Sequence, residues 1–195
     1  MRLFAPLYDR VMSWSRHRHA HRYLAAMSFA ESSFFPVPPD VLLAPMTLAR
    51  PDHGWRLALL TTIASVVGGL AGYAIGWFSL DAVEPVLRSA GYWEDYLRAT
   101  AWFGQWGFWA VLLAGFSPIP YKVFTIAAGV FELPLAPFFA ASAVGRAGRF
   151  FLVAGLIYKF GPKIQEFIER HLGWLSIVFA ALLLGGFVFI KYVIN

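Results

Sequence analysis

The sequence predicts an all-α integral membrane protein, built as an inverted repeat of two opposed re-entrant helical hairpins, each followed by a transmembrane helix. An N-terminal interfacial helix and a C-terminal transmembrane helix complete it. Three observations lead there. Of 195 residues, 59% are hydrophobic and only 14% are charged, too few charges to surround a soluble core. The windows Leu57–Leu80, Leu135–Tyr158 and Trp174–Ile190 are long enough, or nearly so, to cross about 30 Å of hydrocarbon at about 1.5 Å per residue. Two further apolar segments, Met27–Ala49 and Phe108–Leu133, carry Pro-x-Pro near their middles, where proline removes a backbone donor and disfavours helix in the residue before it.

Residues 1–26 have no uninterrupted apolar core followed by a small-residue cleavage site, so a retained segment is expected rather than a signal peptide. Apolar residues interleave with Arg2, Arg10, Arg16, Arg18 and Arg22, which suits a helix on the bilayer surface, attracted to anionic lipid by about 1 kcal/mol per basic residue. His17, His19 and His21 alternate, so only His17 and His21 share a helical face. Flanking arginines oppose a cation there, and no metal site is expected.

Residues 27–80 form the first repeat: a hairpin broken at Pro36, Pro38 and Pro39, then a glycine-rich span. Residues 81–106, with Asp81, Glu84, Glu94 and Asp95, read as an amphipathic connector on the outer interface, with Trp93, Trp102 and Trp106 as belt residues. Residues 107–160 repeat the unit, with the break at Pro118 and Pro120. Residues 161–195 supply a connector and the last span.

The repeat is visible in the letters. "FFPVPPDVLLA" (Phe34–Ala44) resembles "FSPIPYKVFTI" (Phe116–Ile126), and "SVVGGLAGY" (Ser65–Tyr73) resembles "SAVGRAGRF" (Ser142–Phe150), in the same order. A hairpin that does not cross, followed by one span that does, turns the second unit upside down. Irregular backbone at membrane depth is tolerated only where protein or a watery cavity surrounds it, a recurrent feature of secondary transporters. The basic first segment, with Arg50 and Arg56 after the first hairpin, places the N-terminus in the cytoplasm.

Five ionisable residues fall inside the apolar segments: Glu31, Asp40, Lys122, Arg146 and Arg149. Each costs about 2.5 to 3.5 kcal/mol near the bilayer centre on insertion scales and so needs a partner, a water pocket or a function. Asp40 and Lys122 occupy equivalent positions after the two breaks. A carboxylate suits a helix N-terminus, whereas a cation there needs an acid or a shared anion. Arg146 and Arg149 lie three apart on one face. They either close a network with Glu31 and Asp40 or fork onto a phosphate, whose geometry guanidinium matches. Glu31 and Asp40 are also candidates for carrying protons, because desolvation and nearby arginines shift a carboxyl in opposite directions.

Cysteine is absent, and no H-E-x-x-H, phosphate-binding loop or G-x-S-x-G elbow occurs. A non-enzymatic chain without cofactor is expected. The net charge of +5 sits mostly in the first segment beside membrane spans, so positive-inside topology explains it better than nucleic acid does.

"FAESSFFPVPPDVLLAPM", "FSPIPYKVFTIAAGVF" and "GRAGRFFLVAGLIYKFG" together resemble the DedA family, also called VTT or SNARE-associated, and particularly its YqaA-like branch, over roughly Met27–Gly161. The resemblance implies opposed re-entrant hairpins in a bacterial inner membrane and movement of lipids between leaflets: undecaprenyl phosphate, or phospholipid by scrambling, with dependence on a proton gradient. The family's acidic positions fall on Glu31 and Asp40. Its basic position in the second hairpin falls on Lys122, where many relatives have arginine, which shifts phosphate binding toward Arg146 and Arg149. The expected partners are an anionic, phosphate-bearing lipid and protons, and a homo-oligomer is compatible with the sequence. The alternative is a non-transporting membrane scaffold whose buried charges only neutralise each other.

Overall fold

Helix follows helix through the whole described chain, and proline stands at the start of both ten-residue helices while Pro45 and Pro85 lie inside helices. The computed structural model describes residues 19–35, 37–117 and 119–161, and these contain no strand. In order they form α1 (Ala20–Ser33), α2 (Asp40–Ala49), α3 (Gly54–Ser89), α4 (Trp93–Phe116), α5 (Tyr121–Val130) and α6 (Leu135–Gly161), with a 3-10 turn at Pro51–His53. Most of the expected interfacial helix (residues 1–18, with His17), Pro36, Pro118 and the C-terminal connector and span (162–195) lie outside the described residues.

Each half of the chain therefore runs helix, proline break, ten-residue helix, long helix. Pro38 and Pro39 directly precede α2, and Pro120 directly precedes α5. Their positions follow from chemistry, since proline is tolerated at a helix start, where its missing N–H would have no partner. Two helical stretches, Pro51–Ser89 and Leu135–Gly161, are long and apolar enough to cross a membrane.

Helix boundaries differ from the sequence divisions. The hairpin arm expected to begin at Met27 is the end of a helix that starts at Ala20. The division at residue 80/81 falls inside α3, whose 36 residues make about 54 Å at 1.5 Å each. The one at 106/107 falls inside α4. The connector is thus no separate helix. Its two parts extend α3 and α4, and the chain reverses at Ala90–Tyr92, where the Tyr92 N–H donates to Leu87 O and the Gly91 N–H to Arg88 O with Gly91 at φ 78°. This is a glycine-terminated helix cap. Arg88 stacks over Trp93 across the turn, 3.7 Å from the ring centroid.

The end of α5 uses the same cap without glycine. Leu133 N–H donates to Ala128 O and Glu132 N–H to Gly129 O, leaving Glu132 at φ 53°. An L-residue costs about 1 kcal/mol or more in this left-handed region. Glu132→Gly is therefore expected to stabilise the protein by about 0.5 to 1 kcal/mol, read as a higher melting temperature in detergent. Glu132→Ala, which removes the charge and keeps the strain, should give no gain.

Two apolar clusters form the interior. One joins Leu24 of α1, Leu42, Leu43 and Met46 of α2, Leu57 of α3 and Phe150 and Ala154 of α6. The other joins Phe103 and Val111 of α4, Tyr121 and Ala128 of α5, and Phe138 and Ala141 of α6, with Leu70 and Tyr73 of α3 packed against it. The long helices α3 and α6 thus belong to both. Between α1 and α3 a polar seam replaces apolar packing: Ser28 Oγ donates to Thr61 O, Ser32 and Ser65 hydroxyls pair, and Ser33 Oγ donates to Gly68 O, at 2.7, 2.7 and 2.8 Å. Hydroxyls that bond across helices hold them together where burial of apolar surface gives no drive.

Each half makes a corresponding close backbone contact. Gly68 of α3 lies against the backbone of Phe29, and Gly145 of α6 against Leu112 O. Phe29 and Leu112 stand five and four residues before Phe34 and Phe116, so residues matched in the sequence repeat make nearly matching contacts.

Candidate functional site

Four of the five charged residues meet as two ion pairs between α6 and the first half of the chain. Arg146 donates from NH2 to Glu31 Oε2 at 2.6 Å, and Arg149 from NH2 to Asp40 Oδ2 at 2.5 Å. The three-residue spacing on α6 sends one arginine to the end of α1 and the next to the start of α2. The two sides of the first break are thereby clamped to one helix face.

The pairs differ in how closed they are. Arg146 is 2% exposed and Glu31 12%. Arg146 Nε also donates to Ser65 Oγ at 2.5 Å, and the guanidinium lies over the rings of Tyr121 and Phe150, 4.8 and 4.6 Å from their centroids. Glu31 Oε2 accepts a second bond, from Ser32 Oγ at 3.1 Å. Arg149 is 18% exposed and Asp40 24%. Asp40 Oδ1 is buried without a hydrogen-bond partner among the described residues.

The breaks themselves are cross-linked. Arg149 NH1 donates to Ser117 O in the second break while its NH2 holds Asp40 beyond the first. Lys122 Nζ, from the start of α5, reaches back to Phe34 O in the first break at 3.4 Å, and Thr125 Oγ1 donates to Ser32 O at 3.1 Å. Neither α2 nor α5 has a side-chain N-cap; the Val41 and Leu42 N–H groups turn back to Pro38 O and Pro39 O, and the Val123 N–H to Pro120 O, which tightens the first turns. Among the described residues Lys122 meets no carboxylate within ion-pair distance. The five residues thus carry three cations and two anions, a net charge of one positive.

All five residues singled out by charge in an apolar setting are drawn into this one region. Pro38, Pro39 and Pro120 set the starts of the short helices, while Pro36 and Pro118 are outside the described residues. Charge did not point to Ser32, Ser65, Ser117, Tyr121 and Phe150, which complete the surroundings of the arginines. Ser65 lies in a repeated segment, but a serine in an apolar helix gives no signal of its own. The described residues hold no group of three or more His, Asp or Glu side chains placed to bind a metal ion.

A VTT domain profile matches residues 36–159, which takes in both breaks, Asp40, Lys122 and both arginines. The chain is 45% identical over 186 residues to an uncharacterized protein of Haemophilus influenzae, covering 93% of this chain and 96% of that one. It is 28% identical over 131 residues to the inner membrane protein YqaA of Escherichia coli, 67% of this chain and 86% of the relative. Over 95 residues, 46% of this chain and 47% of the relative, it is 33% identical to undecaprenyl phosphate transporter A of Staphylococcus aureus. No solved structure matches it. With a profile spanning more than half of the chain and taking in both proline breaks, Asp40 and both arginines, this protein belongs to the VTT domain, or DedA, family.

Proposed function

We propose that this protein moves a phosphate-bearing lipid between the leaflets of a bacterial inner membrane, its headgroup held where the two breaks meet and its tail left in the bilayer. The observation that carries the reading is the surplus cation. Among the described residues Lys122 has no acid, and it stands at the second break, to which Arg149 of the more open pair is also tied through Ser117 O. Lys122 and Arg149 take the phosphate, and Arg146 adds positive potential from behind while tied to Glu31. The positive end of the α5 dipole, which has no side-chain cap, suits an anion. The similarity to a relative named as an undecaprenyl phosphate transporter supports this class of ligand.

In this reading the breaks are the tips of re-entrant hairpins in an inverted repeat with a cytoplasmic N-terminus. The nearly matching glycine contacts of α3 and α6 support the repeat. Coupling to protons is assigned to the carboxylates of Glu31 and Asp40, since each faces an arginine whose charge it neutralises only when ionised. A second reading, a non-transporting scaffold, draws support from the mutual pairing of both arginines.

The test is leaflet exchange of labelled polyprenyl phosphate and labelled phospholipid in proteoliposomes, with and without a proton gradient. Arg149→Ala is expected to slow exchange tenfold or more while leaving the melting temperature within a few degrees. Gradient-sensitive movement of the polyprenyl phosphate alone indicates driven transport, and equal gradient-independent movement of both lipids indicates scrambling. No movement above protein-free liposomes would favour the scaffold.

A further inference from the structure

We propose that Asp40 is an internal stand-in for the ligand's phosphate: its carboxylate and the headgroup compete for the same edge of Arg149, so Asp40 must let go before the headgroup is seated. The inference rests on the phosphate-lipid reading and adds to it a residue that limits affinity.

The two acidic residues are not equivalent in this respect. Glu31 Oε2 is held by Arg146 and by Ser32 Oγ, and its guanidinium partner is fixed by Ser65 and two rings. Asp40 is held through Oδ2 alone, and its buried Oδ1 has no partner among the described residues. A buried acceptor without a partner has lost water and gained nothing, so releasing Asp40 from the site relieves part of what leaving Arg149 costs. Arg149 stays positioned meanwhile by its bond to Ser117 O. A phosphate offers the same paired acceptor geometry as the carboxylate, with a third oxygen for Lys122. Carboxylate and phosphate together on one guanidinium edge would repel, which makes the exchange competitive rather than additive.

Two soluble probes separate the possibilities: dodecyl phosphate, a monoester, and dihexanoyl phosphatidylglycerol, a diester whose charge stays fixed between about pH 5 and 8. Binding to the full-length protein in detergent is measured by calorimetry. Asp40→Asn is expected to bind both probes about tenfold more tightly than the unaltered protein. Asp40→Ser, also neutral and suited to a helix start, serves if the asparagine variant does not fold. If neither variant folds, the infrared difference spectrum of the unaltered protein with and without the diester decides, and carboxylate bands that do not change on binding overturn the proposal. A folded neutral variant that binds equally or more weakly overturns it too, while leaving the phosphate-lipid reading in place. Failure of every protein to bind either probe overturns both.

Discussion

Arg146→Met is expected to destabilise the protein by about 3 to 5 kcal/mol, the range for removing one partner of a buried ion pair. The loss goes beyond one hydrogen bond. Glu31, only 12% exposed, would keep its charge without a counterion, and Ser65 Oγ would lose its donor. The two rings against the guanidinium, Tyr121 and Phe150, would face a thioether in place of a cation. Glu31→Gln alone should also be costly, because it leaves Arg146 as the uncompensated charge. Combining the two changes should restore part of the loss, since a neutral pair no longer confines an orphan ion. Thermal unfolding in detergent of the parent, both single variants and the double variant closes the cycle. Strict additivity would show that the two side chains do not stabilise each other despite their 2.6 Å approach.

The same comparison separates the arginines. Arg149 is more exposed, and its partner already has one oxygen without a bond, so Arg149→Ala should affect stability less and lipid movement more. On the phosphate-lipid proposal, one helix face divides between holding the fold and meeting the ligand, three residues apart. Charge in an apolar segment marked all five residues, because burial of an ion demands a reason whatever that reason is. It did not say which acid would meet which arginine. Glu31 and Arg146 are 115 residues apart, Asp40 and Arg149 109, and only the packing of α6 against both sides of the first break fixes the pairing.

Proline was equally legible. The short helices begin directly after Pro39 and Pro120, which stand at their starts. Helix length was not, because hydropathy reports how much of a helix suits hydrocarbon, not where its hydrogen bonds stop. After Leu80 the composition turns polar but stays favourable to helix, with Glu84 and Arg88 paired one turn apart at 2.8 Å. α3 therefore continues to Ser89. The stop was written in Gly91, the one described glycine with positive φ. The serines of α1 were harder to read, since hydroxyls that bond across to α3 look in sequence like hydroxyls facing any neighbour.

Gly76→Ala and Gly129→Ala are each expected to destabilise by about 1 to 3 kcal/mol, toward the upper end of the range for overpacking. A methyl group on Gly76 would overlap Ile126 O of α5, and one on Gly129 would overlap Tyr73 O of α3. The obstacle in each case is backbone, which cannot rotate away as a side chain can, so the two helices must part. Gly104 is the control: a methyl group there meets nothing within 4 Å, and Gly104→Ala should stabilise α4 by about 0.5 to 1 kcal/mol. The double variant Gly76→Ala, Gly129→Ala should lose less than the sum of the single losses, because separation forced by one methyl group also makes room for the other. Additive losses would mean that the two clashes are relieved independently. The effect should also reach the site. α5 carries Tyr121 against the Arg146 guanidinium and Lys122 toward Phe34 O, so moving α5 off α3 disturbs both breaks from a contact that includes neither. At a temperature where both variants remain folded, lipid exchange should therefore fall in Gly76→Ala and stay unchanged in Gly104→Ala. Equal exchange by the two would show that the placement of α5 against α3 does not set the geometry between the breaks.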